Sequence, residues 1–383
     1  MGALEKQVKT DRLRIVLLID WFLYYTVELA NSLCEQHEVL LITRDHNCEI
    51  SSDKNEMSLD VFLDESLNKK VTRVKLKYKR RDFIKSIVEV LKVVRCIREF
   101  KADVLHIQET HDWRIHLVAY LFGLNKTVLT IHDVTMHPGE ENKGVQGILW
   151  NNLRKKAAQL IVHGEYLKYQ FSKRYNCQEK LNVIPHGVLS IYKKWDDGDV
   201  KEEKKTVLFF GRLSKYKGFD TLIAAEQLIT KEISDLKIII AGKGPESEYI
   251  RQKVSGNKSF ELHIHFIPNE EVYKYFRRAS IVVLPYTEAS QSGVIPIAYL
   301  FGKPVVVTNV GSLPEVVDDG KTGIVIPPGD PKALAQAVIN MMKNNKLKSY
   351  MGEMAYKKAN GDLSWSNISN LTSRVYSTLV QYV

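Results

Sequence analysis

The stretch TVLFFGRLSKYKGFDTLIAAEQLI, residues 206–229, decides the fold, because an apolar run passes through a basic loop into a helical pattern. The nearly continuous Val, Leu and Phe of 206–210 are typical of a strand covered on both faces, as in parallel sheets. In such sheets ligands bind at the carboxyl ends of the strands. The stretch therefore predicts an α/β fold with a ligand loop beginning at Gly211.

The same rhythm recurs along the chain. Other strands are predicted at Leu13–Ile19, Glu38–Thr43, Asp103–Ile107, Thr127–Ile131, Gln159–His163, Leu181–Pro185, Lys237–Ala241, Ile264–Phe266, Ile281–Pro285, Pro304–Thr308 and Gly323–Ile326. A polar segment, Lys193–Lys205, is typical of a linker. We therefore predict two doubly wound, Rossmann-like parallel-sheet domains, residues 1–195 and 196–364. The tail, 365–383, carries a helical pattern and is a candidate to complete the first domain.

Length and charge agree with this division. The chain has 383 residues, and about 150 residues per domain gives two or three domains. The 44% apolar and 26% charged residues exclude a disordered, fibrous or disulfide-scaffold protein. The net charge is +10, with +4 before residue 200 and +6 after it, so neither half is a basic nucleic-acid arm. The positive balance suits anionic partners.

The N-terminus and the cysteines indicate a cytoplasmic protein, peripheral at most on the inner face of a membrane. Asp20 interrupts the first apolar run, no small-residue cleavage site follows, and no stretch approaches about 18 apolar residues. Cys34, Cys48, Cys96 and Cys177 have no metal-type spacing, so we expect free thiols in a reducing compartment.

Three loops after predicted strands carry residues suited to phosphate. The residues are Gly211, Arg212, Lys217, Gly242, Gly244, Gln291, Ser292 and Gly293. Arginine offers a planar fork of donors and lysine a compact charge. Glycines permit close backbone approach, and small residues before a helix leave N–H groups free for an anion. A solvated basic loop, a tight turn and a plain helix cap are the ordinary alternatives.

Four ordered motifs then carry a resemblance. FFGRLSKYKGFDTLI, IIIAGKGPE, VVLPYTEASQSGVIPIAYLFGKPVVVTNVGSLPEVV and DGKTGIVIPPGD, over about residues 205–345, resemble family 4 glycosyltransferases of the GT-B fold. DVLHIQ, VLTIHD and LNVIPHGV extend the likeness more loosely into the first half. The resemblance implies a sugar moved from a nucleoside-diphosphate sugar to an acceptor hydroxyl with retention, in a cleft between a C-terminal donor domain and an N-terminal acceptor domain.

The resemblance also implies roles. Arg212 and Lys217 would hold the diphosphate and stabilise its developing charge, His132 would contact the donor sugar, and Pro268 would lie near the base. A histidine after a strand, taken alone, is more often structural. No carboxylate pair of the DxD type stands in a convincing loop, so no metal or other cofactor is expected. A UDP- or GDP-sugar is the expected donor.

Two features depart from the family pattern. The two glutamates usual in the fourth motif fall on Ala289 and Ile297, and Glu288 or Gln291 is the candidate replacement for the first. Either the chain belongs to a subgroup that uses the 291–293 loop, or donor binding is impaired. The usual glycine-rich first loop is aromatic, Asp20–Tyr25, which suits stacking on a sugar or lipid-linked acceptor or simple core packing.

A basic cluster, Lys69–Arg81, holds eight cations in thirteen residues. An amphipathic helix follows, with apolar residues at Phe83, Ile84, Ile87, Val88, Leu91, Val94 and Ile97. The cluster is either a dock for anionic lipid or a lysine-guarded edge strand. No nucleic-acid partner is expected, because no helix-turn-helix or zinc pattern accompanies it.

We therefore expect a retaining glycosyltransferase acting on a glycan or lipid-linked acceptor, in cell-surface polysaccharide, glycolipid or lipid-linked glycan synthesis. A nucleotide-sugar epimerase of similar fold is the enzymatic alternative. A non-catalytic binder of sugar nucleotides or nucleic acid is the alternative outside catalysis.

Overall fold

The computed structural model describes residues 12–44, 58–76, 83–110, 112–134 and 144–380, which fold as two compact units. The first unit takes Met1–Val162, Gln170–Ile184 and Ile368–Val383, and the second takes His163–Tyr169 and Pro185–Asn367. Each unit is built around one parallel sheet.

The sheet of the first unit has seven parallel strands in the order β3-β2-β1-β4-β5-β6-β7. Its strands are β1 Arg14–Leu18, β2 Glu38–Arg44, β3 Thr72–Leu76, β4 Val104–Gln108, β5 Thr127–Ile131, β6 Gln159–Val162 and β7 Leu181–Val183. Its helices are α1 Leu23–Leu33, α2 Leu59–Ser66, α3 Phe83–Glu99, α4 Trp113–Phe122, α5 Gly144–Lys156 and most of α6 Glu165–Tyr175. The strand order reverses between β1 and β4, where open α/β sheets bind ligands.

The sheet of the second unit has six parallel strands in the order β10-β9-β8-β11-β12-β13. Its strands are β8 Thr206–Phe210, β9 Lys237–Ala241, β10 Phe260–His263, β11 Ile281–Leu284, β12 Val305–Thr308 and β13 Gly323–Ile326. Its helices are α7 Phe219–Ile229, α8 Ser247–Lys253, α9 Asn269–Arg278, α10 Val294–Leu300, α11 Leu313–Val316, α12 Pro331–Lys343 and α13 Asn345–Asn360. Here the order reverses between β8 and β11, which places the loops after these two strands side by side.

The buried cores explain why apolar runs form these strands. In β8 and β9 every residue from Val207 to Phe209 and from Ile238 to Ala241 is buried, because helices cover both sheet faces. Burying one such side chain stabilises the unit by about 1.5–3 kcal/mol. The predicted fold class, two doubly wound parallel sheets, is confirmed.

The last helix, α14 Trp365–Val380, contributes its residues from Ile368 onward to the first unit. Its Ser373 hydroxyl lies 2.9 Å from His37 Nε2, and its Tyr376 hydroxyl lies 2.6 Å from His106 Nδ1. Burial lowers the pKa of both histidines, that of His106 to about 3. The helix is therefore joined to this unit by neutral histidines.

Of the two edge strands β10 and β3, only β10 lies elsewhere than the sequence predicts. The strand predicted at Ile264–Phe266 is wrong, because β10 spans Phe260–His263 and ends one residue before the predicted strand begins. β3 was predicted only as the edge-strand alternative for the basic cluster, and the structure does place it at the sheet edge. Both strands lie at edges, where polar residues interrupt the apolar pattern.

The segment predicted as a linker is held by ion pairs within the second unit. Asp196 pairs with Arg277, with Nε–Oδ2 at 2.8 Å, and Glu203 pairs with Arg278. Glu202 accepts from Lys303 at 2.9 Å. Residues 196–203 are therefore fixed against α9 and its neighbours despite their polar composition.

Candidate active site

The loop after β8 begins at a position that only glycine fits comfortably. Gly211 has φ +109°, and its N–H donates to the carbonyl of Ala241 at 2.9 Å. The next side chain, Arg212, is exposed, whereas Leu213 is buried and anchors the loop. The exposed guanidinium therefore stands on a fixed backbone.

The glycines after β9 have a packing reason. A Cβ on Gly242 would lie 2.0 Å from the carbonyl oxygen of Gly211, and one on Gly244 would lie 2.2 Å from that of Leu213. Two hydrogen bonds join the same loops, from Leu213 N to Lys243 O at 3.1 Å and from Glu246 N to Leu213 O at 3.0 Å. Gly242 and Gly244 thus shape the phosphate-type loop from behind.

Lys217 is the most unusual cation of the second unit. Its side chain is buried, with 7% of the residue exposed, and its Nζ donates to the Tyr286 hydroxyl at 3.0 Å. The ammonium also lies 4.9 Å from the centre of that ring. Within the described ranges no carboxylate forms an ion pair with Lys217 or with Arg212. Buried charges are normally paired, so the position of Lys217 is suited to an anionic ligand.

The loops after β8 and β11 are fastened together. Gly218 has φ +72°, and a Cβ there would lie 1.8 Å from the carbonyl oxygen of Pro285. Thr287 N donates to the carbonyl of Tyr216 at 2.7 Å. The structure therefore brings the 211–218 loop and the 285–293 loop into one group.

The 288–293 segment presents small residues and open space. A Cβ on Gly293 would meet nothing within 4 Å, and its φ of −66° suits any residue. Ser292 Oγ accepts from Val294 N at 3.3 Å, at the first residue of the seven-residue α10, whose N-cap position is Gly293. Gln291 Oε1 is buried without a hydrogen-bond partner among the described residues, and Glu288 is exposed. Of the two candidate replacements for the missing glutamate, Gln291 is therefore the one whose side-chain oxygen is buried and able to accept a hydrogen bond from a ligand.

The positions of the usual glutamates are occupied in a different way. Ile297 is buried in α10. The carbonyl of Ala289 lies where a Cβ on Gly311 would come within 1.7 Å, and Ser312 N donates to Ser290 O at 3.1 Å. The backbone of 289–290 is therefore fixed by the loop after β12. Pro268 precedes α9, after β10, two strands away from β8.

His132 belongs to the first unit, directly after β5, and only 2% of it is exposed. Its Nε2 lies 2.9 Å from Gln108 Oε1, at the end of β4. The Phe22 ring is stacked on the imidazole at a centroid distance of 3.4 Å and an angle of 11°, and the Tyr25 ring meets it edge-on at 5.5 Å. Burial raises the pKa of Tyr25, so its hydroxyl stays protonated. The aromatic first loop therefore packs on His132.

Phe22 adopts an unusual backbone conformation to do so. Its φ of +60° is left-handed, a region that costs a non-glycine residue about 1–2 kcal/mol. Its carbonyl accepts from Thr26 N at 2.9 Å and from Thr26 Oγ1 at 2.8 Å. These two bonds belong to the first turn of α1, which thereby holds the Phe22 ring against the imidazole of His132.

A buried guanidinium fixes the backbone that follows His132. Arg154 is 1% exposed, donates to Glu109 Oε2 at 2.8 Å, and lies 3.6 Å over the Trp150 ring. It also donates to the carbonyls of Asp133 at 2.6 Å and Val134 at 2.9 Å. We name these four contacts, with the Glu109–Arg154 pair at their centre, the Arg154 clamp.

Sequence reasoning missed the partners of the predicted residues. The contacts that were missed join residues far apart in the sequence: Tyr286 is 69 positions from Lys217, Gln108 is 24 from His132, and Arg154 is 20–21 from the carbonyls of Val134 and Asp133. For Tyr286 the motif VVLPYTEASQSG contained a signal, since Tyr286 lies two residues after the end of β11. For Arg154 none existed, because a basic residue late in a helix is ordinary.

The basic cluster is only partly described, since Lys77, Lys79, Arg80 and Arg81 lie outside the described residues. Its described part pairs with nearby acids. Lys70 binds Glu35 at 2.6 Å, Arg73 binds Asp60 and Asp64 at 2.8 and 3.0 Å, and Lys75 binds Asp60 at 2.6 Å. These contacts favour the edge-strand interpretation for β3 itself.

Three further observations concern metals, thiols and membranes. Over the described positions, no group of three or more His, Cys, Asp or Glu side chains is placed to hold a metal ion. Cys34, Cys96 and Cys177 are free thiols, and Cys48 lies outside the described residues. In the same part of the chain, no helix is long and apolar enough to cross a membrane.

Two all-parallel α/β units in one chain, with basic and glycine-containing loops at the carboxyl ends of the second sheet, are features of GT-B glycosyltransferases. Residues 24–188 match the model of Glycosyltransferase Family 4, and residues 204–344 match that of Glycosyl transferases group 1. The chain therefore belongs to the glycosyltransferases that combine these two domains, those of family 4. The predicted family and enzyme class are confirmed, which favours sugar transfer over epimerisation or non-catalytic binding.

Individual relatives agree with this assignment. An uncharacterised glycosyltransferase of Methanocaldococcus jannaschii is 27% identical over 73% of this chain and 76% of its own length. A D-inositol 3-phosphate glycosyltransferase of Corynebacterium glutamicum is 30% identical over 70% of this chain and 68% of its own. The crystal structure of Anabaena HepE in complex with UDP-glucose matches with a TM-score of 0.68 at 16% identity, covering 97% of this chain and 100% of that one.

Proposed function

We propose that the chain transfers a sugar from a nucleoside-diphosphate sugar to an acceptor hydroxyl, with retention at the anomeric carbon. The bond between the anomeric carbon and the diphosphate oxygen breaks, the acceptor oxygen bonds to that carbon, and the hydroxyl proton is released. Negative charge develops on the leaving diphosphate. The protein's part is to stabilise that charge.

The observation that carries this proposal is Lys217. Its ammonium is buried, donates to a tyrosine hydroxyl and has no carboxylate partner among the described residues. Such a group binds an anion favourably, because a buried charge is stabilised by a charge of opposite sign. It stands at the carboxyl end of β8, beside the reversal of strand order, where ligands of open α/β sheets bind. A diphosphate satisfies both its charge and its position.

The neighbouring groups have supporting roles in this proposal. Arg212 offers a fork to the outer phosphate oxygens, and Gly211 and Gly293 leave room for close approach. Gln291 Oε1 would accept a hydroxyl of the donor and replace the missing first glutamate. Gly242, Gly244 and Ser292 hold this loop group in shape, Glu288 remains a second candidate for the donor sugar, and Pro268 for the base. A strict requirement for added Mg²⁺ would contradict a charge supplied by Arg212 and Lys217.

His132 keeps its proposed place as the contact to the donor sugar from the first unit. The hydrogen bond that His132 Nε2 donates to Gln108 Oε1 and the stacked Phe22 ring fix the plane of the imidazole. The Arg154 clamp fixes the backbone that follows. A side chain held from three sides loses little entropy when it engages a ligand.

Donor, acceptor and place in the cell are proposed more finely as follows. UDP-sugars come first because the HepE fold neighbour holds UDP-glucose, with GDP-sugars second. The acceptor is a glycan or a lipid-linked molecule for cell-surface polysaccharide, glycolipid or lipid-linked glycan. We place the enzyme in the cytoplasm, at the inner face of an anionic membrane, to which residues 69–81 contribute charge.

The test compares Lys217→Met with Lys215→Met, because both lysines lie in the same short helical turn and Lys215 is exposed. Removing one charged hydrogen bond costs about 1.5–3 kcal/mol, or about tenfold to a hundredfold in affinity. Titration calorimetry with UDP and GDP is expected to show this loss for Lys217→Met alone, together with loss of sugar transfer. Equal nucleotide affinity in both variants would overturn the diphosphate site.

A further inference from the structure

Helix α3 has two apolar faces, and among the described residues only one of them is covered. Its inner face, Val90, Val93, Val94 and Ile97, is buried in the first unit. On the outer side Ile84, Val88 and Leu91 are 76%, 45% and 54% exposed. Their spacing of four and three residues puts them in one stripe along the helix. Contiguous exposed apolar surface of this kind marks an interaction site.

An aromatic pair stands where the helix begins. Phe83 is exposed, and its ring is stacked on that of Trp113 at 5.6 Å between centroids. Tryptophan at the end of an apolar stripe suits a boundary that is apolar on one side and wet on the other.

In the sequence, positive charge is concentrated in and just before α3. Residues 69–99 contain twelve Lys and Arg against three Asp and Glu, a net +9 out of the chain's +10. On α3 itself the cations are Lys85, Lys92, Arg95 and Arg98, and four more stand at positions 77, 79, 80 and 81, just before the helix. Lys92 pairs with the half-buried Glu89 and Arg95 with the exposed Glu99, but both cations are themselves exposed, and surface pairs of this kind contribute little and are easily exchanged for other anions.

The positive charge indicates which partner binds the exposed stripe of α3. A second copy of the chain would bring two surfaces of about the same strong positive charge together, which is unfavourable. An anionic bilayer accepts apolar side chains at the acyl boundary and offers phosphates to the flanking cations.

We propose that α3 lies in the plane of an anionic bilayer, with Ile84, Val88 and Leu91 in the headgroup–acyl boundary and its cations on lipid phosphates. This proposal rests on the membrane partner proposed above. It assigns the membrane contact to the outer side of α3 and not to β3, because the β3 cations Arg73 and Lys75 pair with Asp60 and Asp64. The donor site in the second unit is not involved.

The test is vesicle sedimentation of the full chain. Wild type is expected to bind vesicles of equal phosphatidylcholine and phosphatidylglycerol, and not phosphatidylcholine alone. The triple variant Ile84→Ser, Val88→Ser, Leu91→Ser is expected to bind the mixed vesicles at least about tenfold more weakly, because it keeps the charge and loses the apolar anchor. Tyr350→Ser, at an exposed position of α13 in the second unit, is the control and should bind like wild type.

Three outcomes would overturn the proposal: wild type that does not bind the mixed vesicles, a triple variant that binds as tightly as wild type, or a wild-type dimer that the triple variant converts to a monomer. Sugar transfer to a water-soluble acceptor separates this from the proposed function, since it should be the same in wild type and triple variant. Should the triple variant fail to fold, Leu91→Trp replaces it. Brominated lipid should then quench the fluorescence of Leu91→Trp, and an unquenched signal would refute the inserted stripe.

Discussion

The Arg154 clamp makes a prediction that can be worked through in free energy. Replacing Arg154 with Met keeps the length of the side chain and removes the charge that faces the nearly buried carboxylate of Glu109. Breaking a buried ion pair on one side costs about 3–5 kcal/mol. In a unit of this size each kcal/mol lowers the melting temperature by about 2–4 °C. We therefore expect the first unit of Arg154→Met to melt roughly 6–20 °C lower.

The double variant Glu109→Leu, Arg154→Met separates stability from positioning. Apolar residues in place of both charges are often neutral in stability, so the melting temperature should recover the part that was lost through the unpaired Glu109 carboxylate. Turnover should not recover, because the carbonyls of Asp133 and Val134 remain without the guanidinium that holds the His132 loop. KM for the donor should change less than kcat, and Arg154→Lys should restore part of kcat.

Thermal unfolding followed by circular dichroism, and initial rates of sugar transfer, measure both effects. Arg95→Met breaks the exposed pair with Glu99 and is the matched control, with an expected loss within about 0.5 kcal/mol. An Arg154→Met protein as stable as this control would refute the energetic reasoning. A stable double variant with wild-type kcat would refute the positioning role.

Two further predictions concern the donor loop and acid stability. Gly293→Ala should leave the melting temperature unchanged or slightly raised, because its Cβ enters open space, yet weaken donor binding about tenfold by overlap with the ligand; calorimetry showing unchanged affinity would remove Gly293 from the site. His106 binds a proton only near pH 3 in the folded state but at about 6.5 when unfolded, so falling pH favours unfolding. From pH 6.5 to 5 the first unit should lose up to about 1.4 kcal/mol per pH unit, and His106→Gln should flatten that slope in a pH series of thermal scans. An unchanged slope would mean that His106 is already protonated in the folded unit.

Much of the fold could be predicted from the sequence because the central strands are buried on both faces. Val207–Phe209 and Ile238–Ala241 are apolar throughout, and no alternative environment suits such runs. The edge strands were harder. β10 alternates Phe, Glu, Leu and His, all only half-buried, so the neighbouring Ile264–Phe266 looked more strand-like. The sequence of β3 is rich in cations, so its short parallel pairing with β2 could not be predicted from an apolar pattern.

For the candidate site, the sequence predicts residues that lie together in one loop, but not the contacts between different loops. Arg212, Lys217 and the glycines stand in one stretch with a recognisable pattern, whereas the burial of Lys217 depends on Tyr286 from another strand. In α3 seven apolar positions indicate an amphipathic helix, but spacing alone does not distinguish Val94, which is buried, from Leu91, which is exposed. Both distinctions arise from tertiary packing.

The placement of α14 also has a consequence for the order of folding. The His37–Ser373 contact joins residues 336 positions apart, so it forms only after the last helix has left the ribosome. The loop that must close is long, and contacts of such separation slow folding. Most of the second unit is one continuous segment, Pro185–Asn367, which closes on itself without waiting. The unit that is translated first is therefore the one that is finished last.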